Sequence, residues 1–244
     1  MIWLLAGSAI KKLAAIPLGL ALLHGPLNTP DTWVMGRSAY TPAHAVRLGN
    51  STSANTLQGA LGEPVQGVVV DLERWPFTPT QDQCHPVRVM RLGAQRAQRS
   101  GKWLLAAPAV DLVKSIRPNY RGRLYQEFMR LGLARRMAPW ISAYDIQAQG
   151  SERNPRLYAS FVRQVVQQLR AANPNITILA GLSTNPTGKS VTLRILEADI
   201  ALTRSVVNGY WLNVPSPGLA CPRCGASRPD LAVRLLREEM LSHG

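Results

Sequence analysis

Short apolar runs alternate with amphipathic stretches of helical period along most of this chain, and that alternation constrains the fold more than any other feature. Strand-like segments are read at 32–36, 43–48, 67–73, 103–107, 140–149, 176–182 and 209–214. Helical segments are read at 53–61, 86–100, 123–136, 155–172, 191–206 and 229–242. The stretch 155–172 shows the pattern well, with Phe161, Val165, Val166 and Leu169 on one helical face. Repeated strand-then-helix order implies parallel strands, because a helix is the usual way back from the end of one strand to the start of the next. A closed barrel and an open doubly wound sheet both satisfy it. No glycine-rich dinucleotide fingerprint follows any strand, so no cofactor is expected. Polar residues stand at the ends of several strands, as a barrel mouth requires. The expected fold is α/β, a single-domain (β/α) TIM-type barrel, small or irregular because only seven strands are found.

The first 25 residues read differently. Lys11 and Lys12 precede an apolar run at 13–23 with no acidic residue nearby. The run is shorter than the roughly 20 residues that span a bilayer. It predicts a secretory signal peptide, or an uncleaved N-terminal anchor, over 1–25, with the barrel over 26–244. A secreted or extracellular location follows, with membrane contact only through an uncleaved leader. Cys221 and Cys224 form a C-x-x-C pair in a Pro/Gly-rich loop, which in a secreted chain reads as a local disulfide. Cys84 is then the odd thiol, and its pairing with one of the other two stays open. No second ligand pair stands at metal-site spacing, and His24, His44, His85 and His243 show no metal or triad spacing, so no metal is expected. No serine lies in a G-x-S-x-G elbow, which argues against a serine hydrolase.

The formal net charge is +14, and it is still +12 without Lys11 and Lys12. Such a balance suits an anionic partner. The basic residues are scattered, however, and no nucleic-acid motif is present, so specific nucleic-acid binding is not expected. An anionic cell-envelope polymer stays a candidate partner. An Arg-rich, Lys-poor chain is equally what a GC-rich genome produces.

The segment 67–75, Gly-Val-Val-Val-Asp-Leu-Glu-Arg-Trp, concentrates the chemistry. A β-branched run ends in Asp71 and Glu73, which alternation places on one face, their Cα atoms roughly 6.5 Å apart. Two carboxylates that close raise the pKa of one of them, which keeps an acid protonated near neutral pH. Trp75 beside them is a platform for a sugar ring. The strand at 140–149 offers Asp145, Gln147 and Gln149 on one face and Tyr144 on the other. The strand at 176–182 runs into Asn185, and that at 209–214 carries Trp211 and Asn213 on one face. Around one axis, these groups converge on one mouth. Acids, amides and aromatics together suit a glycan or another polyhydroxylated substrate. Each residue also has a plain structural reading: paired amides for Gln147 and Gln149, core packing for Trp211, a turn cap for Asp111.

These residues resemble a known family. Gly67, Asp71 and Glu73 match the strand signature D-G-x-D-x-D-x-E of family 18 glycoside hydrolases, the chitinase and endo-N-acetylglucosaminidase group, with Gln66 and Val69 replacing its first two aspartates. Tyr144-Asp145 is similar to that family's Tyr-Asp pair, and Trp211 to its tryptophan beneath the sugar. The resemblance implies that Glu73 is the general acid, that Asp71 orients an N-acetyl group acting as internal nucleophile, and that Tyr144 hydrogen-bonds that group. The loss of the two aspartates implies altered proton cycling. The chain also resembles a widespread type of secreted bacterial barrel protein, through V-x-D-L-E-x-W and Y-D-I-Q-A-Q, which carries no known reaction. The expected function is a glycoside hydrolase-like activity, with Glu73 as acid and Asp71 or Asp145 as stabiliser or base. A catalytically silent barrel that binds wall glycan or another anionic polymer is the alternative.

Overall fold

A computed structural model describes residues 1–219 and 221–241. Its strands are β1 (Ile2–Ala6), β2 (Thr32–Met35), β3 (Val46–Ser51), β4 (Gly67–Leu72), β5 (Trp103–Pro108), β6 (Ala143–Ile146), β7 (Thr177–Ser183) and β8 (Gly209–Asn213). The helices are α1 (Gly7–Ala14), α2 (Pro17–His24), α3 (Leu57–Gly62), α4 (Thr80–Cys84), α5 (Pro86–Arg99), α6 (Val113–Ile116), α7 (Leu124–Leu131), α8 (Leu133–Met137), α9 (Pro155–Ala172), α10 (Leu193–Thr203) and α11 (Pro229–Leu241). The strands follow sequence order around a closed barrel. The (β/α) barrel read from the alternation is the fold, with eight strands among the described residues rather than seven.

The additional strand is β1, inside the segment expected to be a leader. It pairs in parallel with β2 through Trp3↔Thr32 to Ala6↔Met35 and with β8 through Ile2↔Gly209 to Leu4↔Trp211. Residues 2–6 are thus one of the strands of the closed barrel. The apolar run at 13–23 is split between α1 and α2, with Leu13, Leu22 and Leu23 buried and Leu18 exposed. Lys12, read as the basic flank of a leader, donates instead to the Val214 carbonyl, and burial lowers its pKa. Among the described residues no helix is long and apolar enough to cross a membrane.

Contacts divide the chain into two compact units. One comprises Met1–Arg47, Ala148–Ala159 and Gly181–Gly244. Its core holds Trp3, Leu4 and Leu5 of β1, Tyr210 and Leu212 of β8, and Leu235 and Leu236 of α11. The Trp3 and Tyr210 rings lie 5.8 Å apart, and the Tyr210 hydroxyl donates to the Ile200 carbonyl at 3.1 Å, which a buried phenol needs. The other unit comprises Leu48–Gln147 and Ser160–Ala180. There Val68, Val69 and Val70 of β4, Leu104 and Leu105 of β5 and Ile178 of β7 are fully buried. Such unbroken apolar runs are expected of parallel strands covered on both faces.

Three boundaries differ from expectation for identifiable reasons. The helix at 123–136 is two helices, broken at Gly132, whose φ of 60° and ψ of 33° is the left-handed conformation that ends α7 and that glycine adopts without strain. The strand at 140–149 shortens to β6, because the chain turns at Ala148, whose carbonyl accepts from the Ser151 N–H and hydroxyl at 2.9 and 2.8 Å. The segment at 43–48 is β3, shifted to Val46–Ser51. The last helix covers Pro229–Leu241; Ser242, at its expected end, and His243 lie outside the described residues.

Candidate active site

β4 is buried throughout and delivers Asp71 at its penultimate position. The register pairs Asp71 with Ala107 in β5, and pairs Ala106 with Tyr144, so Ala107 stands beside Asp145 of β6. Asp71, Ala107 and Asp145 therefore form one row on one face, with a small residue between the two acids. The Gln147 side chain reaches back over this row. Its amide nitrogen donates to Asp71 Oδ1 at 2.7 Å and to the Ala107 carbonyl at 2.9 Å.

Asp145 is fully buried, and among the described residues neither of its carboxyl oxygens has a hydrogen-bond partner. Burial alone holds its pKa well above the usual carboxylate range. The Asp71 carboxyl is pushed up to about 7, first by burial and then by the charges of Asp145 and Asp111; the Gln147 hydrogen bond opposes the rise. Glu73, half-buried just beyond the strand, is held well above its ordinary value by burial and by the charges of Asp71 and Asp111, again opposed by Gln147. Asp111 completes the group. It accepts from the Arg74 N–H at 3.0 Å, and burial raises its pKa despite that bond.

The loop after β4 is tied down. Thr78 Oγ1 accepts from the Trp75 indole at 2.7 Å and from the Glu73 N–H at 3.4 Å, and donates to the Thr52 carbonyl at 2.9 Å. The Gln83 amide bonds the carbonyls of Trp75 and Thr78 at 3.2 and 2.7 Å. The half-buried Trp75 ring meets Phe77 edge to face at 5.2 Å, and Phe77 is exposed. Glu73 and an aromatic edge are thus held by fixed hydrogen bonds, which suits a site that must not rearrange during reaction.

Of the residues expected at the site, Asp71, Glu73, Trp75, Asp145 and Gln147 belong to this neighbourhood. Tyr144 does not share the carboxylate face: its row is Val70, Ala106 and Ile178, its hydroxyl is buried without a partner among the described residues, and burial drives its pKa up. Gln149, Asn185, Trp211 and Asn213 belong to the other compact unit. Gln149 lies in a 3-10 turn and not on a strand face; its amide covers Gly181, where a Cβ would come within 2.3 Å. The buried Asn185 backbone N–H donates to Ser183 Oγ at 3.1 Å, and the Asn213 carbonyl accepts from the Thr184 N–H at 3.0 Å. Trp211 is a core residue in the middle of β8, 3 % exposed, and its indole N–H is buried without a partner among the described residues.

Sequence reasoning set Asp111 aside as a turn cap and missed Thr78 and Gln83. It also missed a buried acid pair in the other unit. Glu152 Oε1 accepts from the Ser183 N–H at 2.8 Å, while Glu152 Oε2 and both oxygens of Asp199 have no partner among the described residues. Burial, then the charge of Asp199, keeps the Glu152 pKa high, and burial pushes Asp199 up to about 8. The signal was present: Asp199 falls on the apolar stripe Leu196, Ile200 and Thr203 of α10. Among the described residues no group of three or more His, Cys, Asp or Glu is arranged to hold a metal ion. Cys221 and Cys224 form a disulfide with Cα atoms 5.3 Å apart, and Cys84 is a free thiol that contacts the Ser115 carbonyl at 3.3 Å.

No protein-family model and no curated protein matches the chain. Solved structures do. A triosephosphate isomerase from Bartonella henselae is 12 % identical over 97 % of this chain and 99 % of its own, with a TM-score of 0.52. A sugar phosphate isomerase/epimerase from Parabacteroides distasonis is 10 % identical over 99 % of this chain and 94 % of its own, with a TM-score of 0.53. At such identities the likeness is one of fold, and it agrees with the strand order: the chain is a TIM-type barrel.

Proposed function

We propose that Glu73, Asp71 and Asp145 form the acid–base centre of a glycoside hydrolase-like protein, with Trp75 as the sugar platform. The observation that carries this reading is the pairing of Glu73, whose pKa is raised by burial and by the charge of Asp71, with an Asp71 whose pKa is about 7, on a loop locked by Thr78. An acid that is still protonated at neutral pH can give its proton to a glycosidic oxygen, and a neighbouring carboxylate can stabilise the positive charge that develops. Gln147, bonded to Asp71, fixes the stabilising carboxylate in place. The N-acetylated substrate implied by the family 18 resemblance is part of this proposal. So is an extracytoplasmic setting, supported by the Cys221–Cys224 disulfide.

The test is a panel of N-acetylated and neutral glycans offered to wild type and Glu73→Gln, recording turnover and binding separately. Turnover is expected to fall by about 100-fold or more in the variant, the usual worth of a general acid, while binding and thermal stability hold. Wild-type turnover is expected to rise through pH 7 as the pair loses its first proton and to fall once the second is lost. Equal turnover in both proteins refutes the assignment of Glu73. Binding without turnover in either favours a silent glycan-binding barrel, which the replacement of two family aspartates by Gln66 and the fully buried Val69 also supports.

A further inference from the structure

The unit that contains α10 and α11 carries a cavity of about 420 Å³, lined by Thr192, Leu193, Arg194, Glu197, Arg228, Leu231 and Arg234. Its volume falls in the range of about 300–1,000 Å³ typical of small-molecule sites. Three guanidinium groups and one carboxylate leave the lining at a formal +2. Among the described residues no carboxylate pairs with Arg194, Arg228 or Arg234, so their charge is available. Arg228 is held in place, because its Nη1 donates to the Val191 carbonyl at 2.7 Å. Two helices begin here. Thr192 caps α10, accepting from the Ile195 N–H at 3.3 Å, and Arg228 immediately precedes Pro229 at the start of α11. The partial positive charge of both N-termini adds to that of the arginines. Leu193 and Leu231 supply an apolar wall.

We infer that this cavity binds a small organic molecule through a dianionic phosphate monoester group. A guanidinium fork matches two oxygens of such a group, and a dianion balances the excess charge of the lining. The apolar wall and the volume leave room for the organic part that inorganic phosphate lacks. The inference involves no residue of the Glu73 centre and stands or falls separately from it.

The experiment is titration calorimetry on the full chain at low ionic strength, with glucose 6-phosphate, glucose and orthophosphate as separate probes. Wild type, Arg228→Gln, Arg234→Gln and Arg99→Gln are compared. Arg99, exposed at the end of α5 and not part of the lining, makes the same change in net charge. Saturable binding of glucose 6-phosphate with none of glucose is expected, weakened about tenfold or more by either cavity substitution, as loss of a charge-assisted bond implies, and by less than about twofold by Arg99→Gln. Orthophosphate binding as tightly as glucose 6-phosphate identifies the anion itself as the ligand. Arg234 is exposed, so its substitution reports even where Arg228→Gln fails to fold. No saturable binding of either phosphate overturns the inference, as does an equal loss in Arg99→Gln.

Discussion

Replacing Asp199 with Asn removes a carboxyl that the fold buries without a partner among the described residues, and the consequence is a change in how stability depends on pH. Asp199 is fully buried in α10, and burial raises its pKa from 3.8 to about 8. A folded-state pKa above the unfolded value means that the folded chain holds the proton more tightly. The contribution is therefore complete below about pH 4, lost progressively as pH rises, and gone above about pH 8. At 1.36 kcal/mol per pH unit, the span has a ceiling on the order of 5 kcal/mol. Water entry and local relaxation on ionisation reduce it, so about 2 kcal/mol or more is expected to survive. Asn cannot ionise. Its amide has a burial cost of its own, but that cost is the same at every pH. The readout is thus how the difference between variant and wild type changes with pH, not its absolute size. Urea unfolding at pH 4.5, 7 and 9 measures it. Asp199→Asn should gain on wild type by about 2 kcal/mol or more between pH 4.5 and pH 9. Parallel curves across that range would show that Asp199 finds solvent or a partner on ionising, and would refute the reasoning.

Two further outcomes follow from the site. Gln147→Leu removes the hydrogen bond that restrains the Asp71 pKa, so the Asp71 carboxyl should titrate about one unit higher in carbon-detected NMR; an unchanged or lower midpoint would mean that the bond does not favour the ionised form. Thr78→Val keeps the shape but strips the hydroxyl that joins Thr52, Glu73 and Trp75, and should lower unfolding free energy by about 2 kcal/mol in a denaturant titration; a loss below about 0.5 kcal/mol would show that the loop is held elsewhere.

The parts of the structure that the sequence reveals are those where one physical signal acts alone. The run Val68–Val70 is β-branched and uninterrupted, so β4 and its penultimate Asp71 are readable, and parallel register then brings Asp145 into the same row across Ala107. Where two signals compete, reading fails. Lys11 and Lys12 followed by an apolar run have the composition of a leader, yet Leu4, Leu5 and Ile10 before them and Leu13, Leu22 and Leu23 after them are buried in the folded chain. Composition does not distinguish burial in protein from burial in lipid. The polar alternation of Asp145, Gln147 and Gln149 continues past β6, but the backbone turns at Ala148, so the last of the three leaves the row. Asp111, Thr78 and Gln83 act through contacts between segments distant in sequence, which no local pattern encodes.

The pairing of β1 with β8 sets a timetable. Ile2 and Gly209 are neighbours in the barrel but more than 200 residues apart along the chain. At a synthesis rate of about 5–20 residues per second, β8 is made roughly 10–40 s after β1. Throughout that interval the edge of β1 that pairs with β8, Ile2 to Leu4, is open. The yield of such a barrel in a cell should depend on how well β1 is protected until β8 has been made, as much as on the stability of the finished barrel.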